Sequence, residues 1–276
     1  MRDNIVGGND GTRAQLCMKF MFPSELRGRC RAGAYDGPTS GHAPGHVQAN
    51  MAILPAGDAE DFREFCAANP KPCPLLEVLS AGEFEPGKIA PGADVRTDLP
   101  RYRVFRDGVL TEERTDISGI WRDDLVTFLI GCSFIAENAL MSAGLVLPHI
   151  EETGTVPMFR TTVATTPAGK FWGPTVVSMR PFTPADADRA EDITRHYPMA
   201  HGAPIHRGDP GALGIEDLAT PEYGEPVTMA VGHIPVFWAC GVTPQEAILN
   251  AKPALAISHA PGHMFVGDLL AADTRV

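Results

Sequence analysis

Six of the nine histidines lie in three short Pro/Gly turns. They are His42-Ala-Pro-Gly-His46, His201-Gly-Ala-Pro-Ile-His206 and His259-Ala-Pro-Gly-His263, the first and third spelling the same five letters. Imidazole titrates near neutral pH and is the commonest metal ligand. Proline fixes and glycine frees the backbone, so such turns hold imidazoles in set directions. Metal chelation is one reading. His-x-x-x-His chelates from a helix, but Pro-Gly between these histidines excludes a helix, and no His-Glu-x-x-His is present. General acid–base work or hydrogen bonding to a substrate suits the turns better, with a plain structural role as the alternative for each histidine.

Other residues could serve the same pocket. Arg160 and Arg180 end the apolar stretches Val-Pro-Met-Phe-Arg160 and Val-Val-Ser-Met-Arg180, where a guanidinium can grip a carboxylate through two hydrogen bonds. Surface ion pairing is the alternative. Gln48 and Asn50 share one face of an apolar strand, and buried amides need partners. Cys132 and Cys240 are candidate nucleophiles. Cys240 precedes a helix start, whose dipole would lower a thiol pKa, although buried inert cysteine is commoner. Asp209, in His206-Arg-Gly-Asp-Pro210, could orient an imidazole or cap a turn. Asp123 and Asp124 read as first-turn acids of a helix rather than as a catalytic pair.

These residues need elements to position them. A short helix capped by Ser24 ends near Gly33, and Val47 to Leu54 is a buried strand stopped by Pro55. Asp58 caps a helix through Asn69 with Phe62, Phe65 and Cys66 as its apolar stripe. Residues 70–100 read as loop. Asp107-Gly108 turns a hairpin starting at Tyr102. Asp123 to Ala143 is the longest helical pattern, closed by Gly144. Strands follow at Pro157–Thr162 and Thr175–Met179, then a helix at Pro184–His196 capped by Thr183. Val236–Cys240 is a strand, Thr243-Pro-Gln-Glu246 a capping box that opens a helix, and Ala254–Ser258 a strand running into the third histidine turn. The mixture predicts a partly parallel α/β sheet, whose ligands would lie beyond strand carboxyl ends, near Cys240–Thr243 and His259–His263.

Bulk properties narrow the function. A net charge of -11 repels phosphate backbones and anionic membranes, which argues against nucleic-acid and membrane partners. The six cysteines form no Cys-x-x-Cys pair and read as reduced thiols of a cytoplasmic protein. The apolar run Leu125–Leu147 is broken by Ser133, Glu137, Asn138 and Ser142, which argues against a membrane span. No phosphate-binding glycine loop is present, so no nucleotide cofactor is indicated. Residues 1–20 read as a mobile tail or as an extension before a start at Met18 or Met21.

The sequence also resembles a known family, the bacterial hydro-lyases related to D-glutamate cyclase. The resemblance runs from about residue 24 to the end. It is carried by Gly45-His-Val-Gln-Ala-Asn50 with Ile53-Leu-Pro55, Asp98-Leu-Pro-Arg-Tyr102, Asp123-Asp-Leu-Val-Thr-Phe-Leu-Ile-Gly-Cys-Ser-Phe134 and Val177-Ser-Met-Arg-Pro181. His201-Gly-Ala-Pro204, Gly208-Asp-Pro210, Pro235-Val-Phe-Trp-Ala-Cys-Gly-Val-Thr-Pro-Gln245 and His259-Ala-Pro-Gly-His-Met264 complete it. It implies a three-layer α/β part with a smaller two-layer part, and a cofactor-independent conversion of D-glutamate to 5-oxo-D-proline and water. The family's first turn usually lacks histidine at positions 42 and 46, so these two read as local to this chain.

The resulting expectation is an α/β fold: a mixed, partly parallel sheet in a three-layer sandwich formed by residues 21–150 and 230–276, with a smaller α+β subdomain at 151–229. The function expected is a cofactor-independent hydro-lyase acting on a small amino- or oxo-dicarboxylate, with no metal. His259 and His263 would act as acid and base, supported by His201, His206, Asp209 and Cys240. Arg160 and Arg180 would hold carboxylates, and Gln48, Asn50 and Thr243 would orient the substrate. A non-catalytic carboxylate-binding protein and a metal-dependent cyclic-amide hydrolase are the alternatives, and a homodimer is compatible with either.

Overall fold

A computed structural model describes residues 21–276; the expected tail at 1–20 lies outside the described residues. Among the described residues there are two sheets, and every strand pairing in both is antiparallel, which corrects the expected partly parallel sheet. The larger is built from β1 (His46–Pro55), β2 (Leu75–Leu79), β3 (Tyr102–Arg106), β4 (Val109–Arg114), β5 (Leu125–Gly131), β10 (Ala256–His259) and β11 (Phe265–Leu270). Its order is β2-β5-β1-β10-β3-β4, with β11 also on β1. The smaller holds β6 (Met158–Ala164), β7 (Pro174–Phe182), β8 (His206–Arg207) and β9 (Ile234–Ala239), ordered β6-β7-β9-β8. β9 falls in the segment expected to belong to the larger part, yet it pairs with β7 and β8.

β1 shows why its apolar run misleads about strand direction. Val47, Ala49, Met51 and Ile53 enter one core with Val104, Leu129 and Ile257. Ala52 and Leu54 enter another beneath helices α2 (Ala56–Ala68) and α6 (Thr243–Ala251), with Phe62, Phe65, Phe128 and Ile248. A strand covered on both faces is apolar at successive positions whatever the direction of its neighbours. Phe62 meets Phe128 and Phe171 edge-on at centroid distances of 4.8 and 5.1 Å, a favourable aromatic arrangement.

The stretch read as one helix from Asp123 to Ala143 divides. Leu125–Gly131 is β5, buried throughout, and helix α3 (Phe134–Ser142) follows. A short apolar run carries no period that distinguishes a buried strand from a buried helix. Gly131 ends the strand where a Cβ would stand 1.8 Å from Met199 O. β2 likewise emerges from the expected loop at 70–100.

Several expected caps are absent. Helix α1 (Pro23–Arg31) starts after Phe22, so Ser24 lies inside it. α2 starts before Asp58, whose carboxylate instead sits 2.6 Å from Lys170 Nζ. Thr243 opens α6 without capping it. The Thr183 cap of α5 (Pro184–Thr194) forms as expected, accepting from Asp186 N, and Asp107-Gly108 turns the β3–β4 hairpin with φ of 50° and 79°. A short helix α4 (Pro148–Glu152) lies between α3 and β6. Among the described residues no helix is long and apolar enough to cross a membrane.

Candidate active site

β1 keeps β5 along one edge but divides its other edge between two strands. β10 pairs at Ala52 and Ile53, and β11 pairs between His46 and Ala49. The third histidine turn occupies the gap. There the His259 ring takes the place of a strand: its Nδ1 lies 3.1 Å from Met51 N and 3.3 Å from Met51 O. The first contact needs an accepting Nδ1 with the ring proton on Nε2, the second a proton on Nδ1 itself. Burial outweighs every other influence and lowers the His259 pKa to about 4, so the ring is neutral at neutral pH.

At this gap lies a small cavity of about 20 Å³, room for roughly one water molecule. Asn50, Cys132, Ser133, Phe134, Cys240 and His259 are among its walls. Two helices start there, α3 after Ser133 and α6 after Val242, and helix starts present unpaired N–H groups and positive potential. Asn50 Nδ2 donates to Gly131 O at 2.7 Å and lies against Gly241, where a Cβ would stand 1.9 Å from it. The N–H of Phe134 points at the Cys132 thiol, and those of Gly241 and Val242 at Cys240. The expected lowering of the Cys240 pKa does not follow. Burial exceeds the pull of the amides and pushes it up to about 11; the Cys132 thiol is raised as well. Both are neutral thiols at neutral pH.

Phe134 also walls a second, outer pocket of about 290 Å³, the size that takes a small metabolite. His42, His46, Gln48, Glu137 and Asn138 line it. The two identical histidine motifs fold into the same turn. His46 N donates to Ala43 O and His263 N to Ala260 O, at 3.1 and 2.9 Å, with Gly45 and Gly262 at φ of 79° and 78°. Proline followed by a left-handed glycine makes this a type II turn. In each, the second histidine's Nδ1 bonds the proline carbonyl, His46 to Pro44 at 3.2 Å and His263 to Pro261 at 2.9 Å.

Behind the outer pocket lies a charged cluster. Glu137 Oε1 receives Arg180 Nη2 at 2.8 Å and His149 Nε2 at 2.7 Å. Arg180 also donates to Ser133 Oγ at 2.9 Å. The facing His149 and Arg180 outweigh burial and hold Glu137 down at about 2, so it is ionised. Burial lowers the His149 pKa against the pull of Glu137.

Known proteins can now be set beside this geometry. The sequence profile of the D-glutamate cyclase family matches residues 126–268, which span β5 to β11. A protein of Stutzerimonas stutzeri named "Putative hydro-lyase" is 55% identical over 249 residues, covering 90% of this chain and 94% of its own. Proteins with the same name from Bordetella pertussis and Rubrobacter xylanophilus are 56% identical over 240 residues (87% of each chain) and 54% over 253 residues (92% and 98%). The chain belongs to the D-glutamate cyclase family. It is, by that membership, an enzyme of the hydro-lyase type. A nitrogen repressor-like protein of Methanococcus jannaschii covers 84% of this chain and 90% of its own at a TM-score of 0.37 and 10% identity, too distant to carry an argument.

In this D-glutamate cyclase family member the anticipated residues are only partly gathered. Asn50, Cys240 and His259 share the inner cavity, and Gln48 lines the outer pocket. His263 stands beyond the inner cavity, tied to its own turn. His201 Nδ1 bonds Lys71 O at 2.9 Å, and burial lowers its pKa to about 4. His206 bonds the backbone carbonyl of Asp209, whose carboxylate caps Gly211 N at 2.9 Å. Those two therefore stabilise a local turn. Arg160 is taken up by Glu246 Oε1 at 2.9 Å and by Tyr223 at 3.0 Å, and Tyr223 itself bonds Glu246. Arg180 is taken up by Glu137 and Ser133 in place of a substrate carboxylate. Thr243 Oγ1 accepts from Val176 N at 2.9 Å and pins α6 to β7.

Sequence reasoning did not single out Glu137, His149 or Ser133 for this site. The available signal was Glu137 itself, an acid inside an apolar run. Asp98, within one of the resembling stretches, is structural: it receives Arg31 Nε at 2.7 Å and Asp94 N at 3.0 Å. Among the described residues no group of three or more His, Cys, Asp or Glu is arranged to hold a metal ion.

Proposed function

We propose that the protein is a cofactor-independent hydro-lyase that closes D-glutamate to 5-oxo-D-proline with loss of water. The observation that carries the reading is the pairing of a cavity of about 20 Å³ with an adjoining pocket of about 290 Å³, sharing the Phe134 wall. The larger suits the body of a small amino acid, and the smaller suits a single departing oxygen.

Ring closure forms a bond from the amino nitrogen to the γ-carboxyl carbon and breaks one C–O bond. The two protons shed by the ammonium leave with that oxygen as water, so no net proton is taken up or released. The nitrogen must first lose a proton. His46 is the base in this reading, because donation from Nδ1 to Pro44 O leaves the lone pair on Nε2, and the residue lines the outer pocket. Negative charge then grows on the γ-carboxyl oxygens. The start of α3, the start of α6 and, in the tautomer with its proton on Nε2, the neutral His259 ring offer fixed dipoles there. The Cys240 thiol, held high, can pass its proton to a departing hydroxide and regain one of the two that the nitrogen sheds, so the ammonium remains the net source of both.

The test is incubation of purified protein with D-glutamate and, separately, L-glutamate, followed by chiral chromatography of 5-oxoproline. The expected result is 5-oxo-D-proline from D-glutamate, lost in His259→Asn. No product above the uncatalysed background would sink the assignment.

A further inference from the structure

Two residues that line the outer pocket each leave a hydrogen-bond acceptor without a donor among the described residues. Gln48 is 3% exposed, and its Nε2 donates to Thr39 O and His42 O, both at 3.1 Å. Two carbonyl partners fix the amide's orientation, since an oxygen in that place would face two oxygens. Gln48 Oε1 is thereby turned the other way, buried and without a partner. Glu137 is also 3% exposed, and both its interactions, with Arg180 and His149, fall on Oε1. Among the described residues none hydrogen-bonds Oε2. Both side chains line the same pocket.

Buried acceptors are rarely left unmet, and a ligand seated in this pocket can supply the missing donors. It must be a donor. Because Glu137 is ionised, a cationic N–H donor fits best. We propose that Gln48 Oε1 and Glu137 Oε2 together seat the amino group of the substrate, and that these two residues select an amino acid over an acid of the same length without the amine. The proposal rests on the reading above that this pocket receives the substrate. Glu137 is a binding residue in this role and not the base, since a carboxylate tied to Arg180 holds an ammonium without taking its proton. Across the shared Phe134 wall, the nitrogen would then approach the γ-carboxyl carbon from the side opposite the inner cavity.

Calorimetric titration of the full chain with D-glutamate, 2-oxoglutarate and glutarate tests this. Glutarate keeps both carboxylates and lacks the amine. D-glutamate is expected to bind at least about tenfold more tightly than either analogue, the order of one charged hydrogen bond. In Glu137→Gln the D-glutamate-to-glutarate ratio should fall towards one while glutarate affinity stays within about threefold. If that variant fails to fold, the wild-type ratio still decides, and Gln48→Met supplies the second comparison. Equal affinity for D-glutamate and glutarate, no measurable binding of either, or an unchanged ratio in a folded Glu137→Gln protein overturns the proposal. Amine selectivity without ring closure would overturn the reaction assignment and leave the seat standing; ring closure without selectivity would do the reverse.

Discussion

Arg180 Nη2 lies 2.8 Å from Glu137 Oε1, and both side chains are all but sealed from water. The guanidinium also stands 5.7 Å from the centre of the Trp238 ring, and its buried Nε has no partner among the described residues. Removing one member of such a pair leaves the other charged and buried. Arg180→Leu should therefore lower unfolding stability by roughly 3–5 kcal/mol. The double variant Arg180→Leu with Glu137→Leu should lose less than the sum of the single losses. Urea melts of the four proteins measure this, and simple additivity would show that the two are uncoupled.

Acid should weaken the fold before the carboxylates titrate. His201 and His259 have pKa values lowered to about 4, so the unfolded chain binds protons that the folded chain refuses. Their contribution is complete above the ordinary value of 6.5 and is lost as pH falls from there to about 4. Each accounts for roughly 3 kcal/mol across that window. Glu137 works in the same direction only lower down, between its ordinary 4.5 and about 2. Stability should thus already drop between pH 6.5 and pH 5, and His201→Gln should flatten the drop. A flat profile over that range would contradict the burial argument.

Neither cavity cysteine should react in the native protein. Iodoacetamide at pH 8 should leave Cys132 and Cys240 unlabelled, because both are buried and held as thiols. Denaturant should expose both. Site-resolved mass spectrometry reads the outcome, and rapid native labelling of Cys240 would point to a thiolate.

Activity should divide the histidine turns. His206→Ala and Asp209→Ala, which disturb only a surface turn, should hold D-glutamate turnover within about twofold of wild type. Gly241→Ala should lower kcat more than about tenfold by forcing Asn50 out of the cavity wall. Steady-state assays of the three variants suffice, and a fully active Gly241→Ala enzyme would remove Asn50 from the chemistry.

Much of the frame can be read from local pattern. β1, the Phe62–Phe65 stripe of α2, the Asp107-Gly108 hairpin and the Thr183 cap all follow from periodicity, turn chemistry and capping. Strand direction does not, because two-sided burial hides it, and β5 passes for helix because its seven residues are buried on both faces. The site was legible where one element carries it: Gln48 and Asn50 on β1, Cys240 before α6, His259 at the end of β10. It was illegible where distant segments meet. Glu137 and Arg180 are 43 residues apart and find each other only once β7 packs beside α3. The first histidine turn looked incidental, yet helices α3 and α4 close the larger pocket against it.

The split edge of β1 leaves one main-chain amide in the middle of a sheet guarded by an imidazole. With the ring proton on Nε2, the Met51 N–H depends on the lone pair of His259 Nδ1. Once that ring takes a second proton, near pH 4, Nδ1 becomes a donor and can no longer accept. The Met51 resonance in an amide-exchange spectrum is therefore a built-in reporter of a single ionisation. Its neighbours Ala52 and Ile53, laddered to β10 on one side and β5 on the other, supply the internal reference.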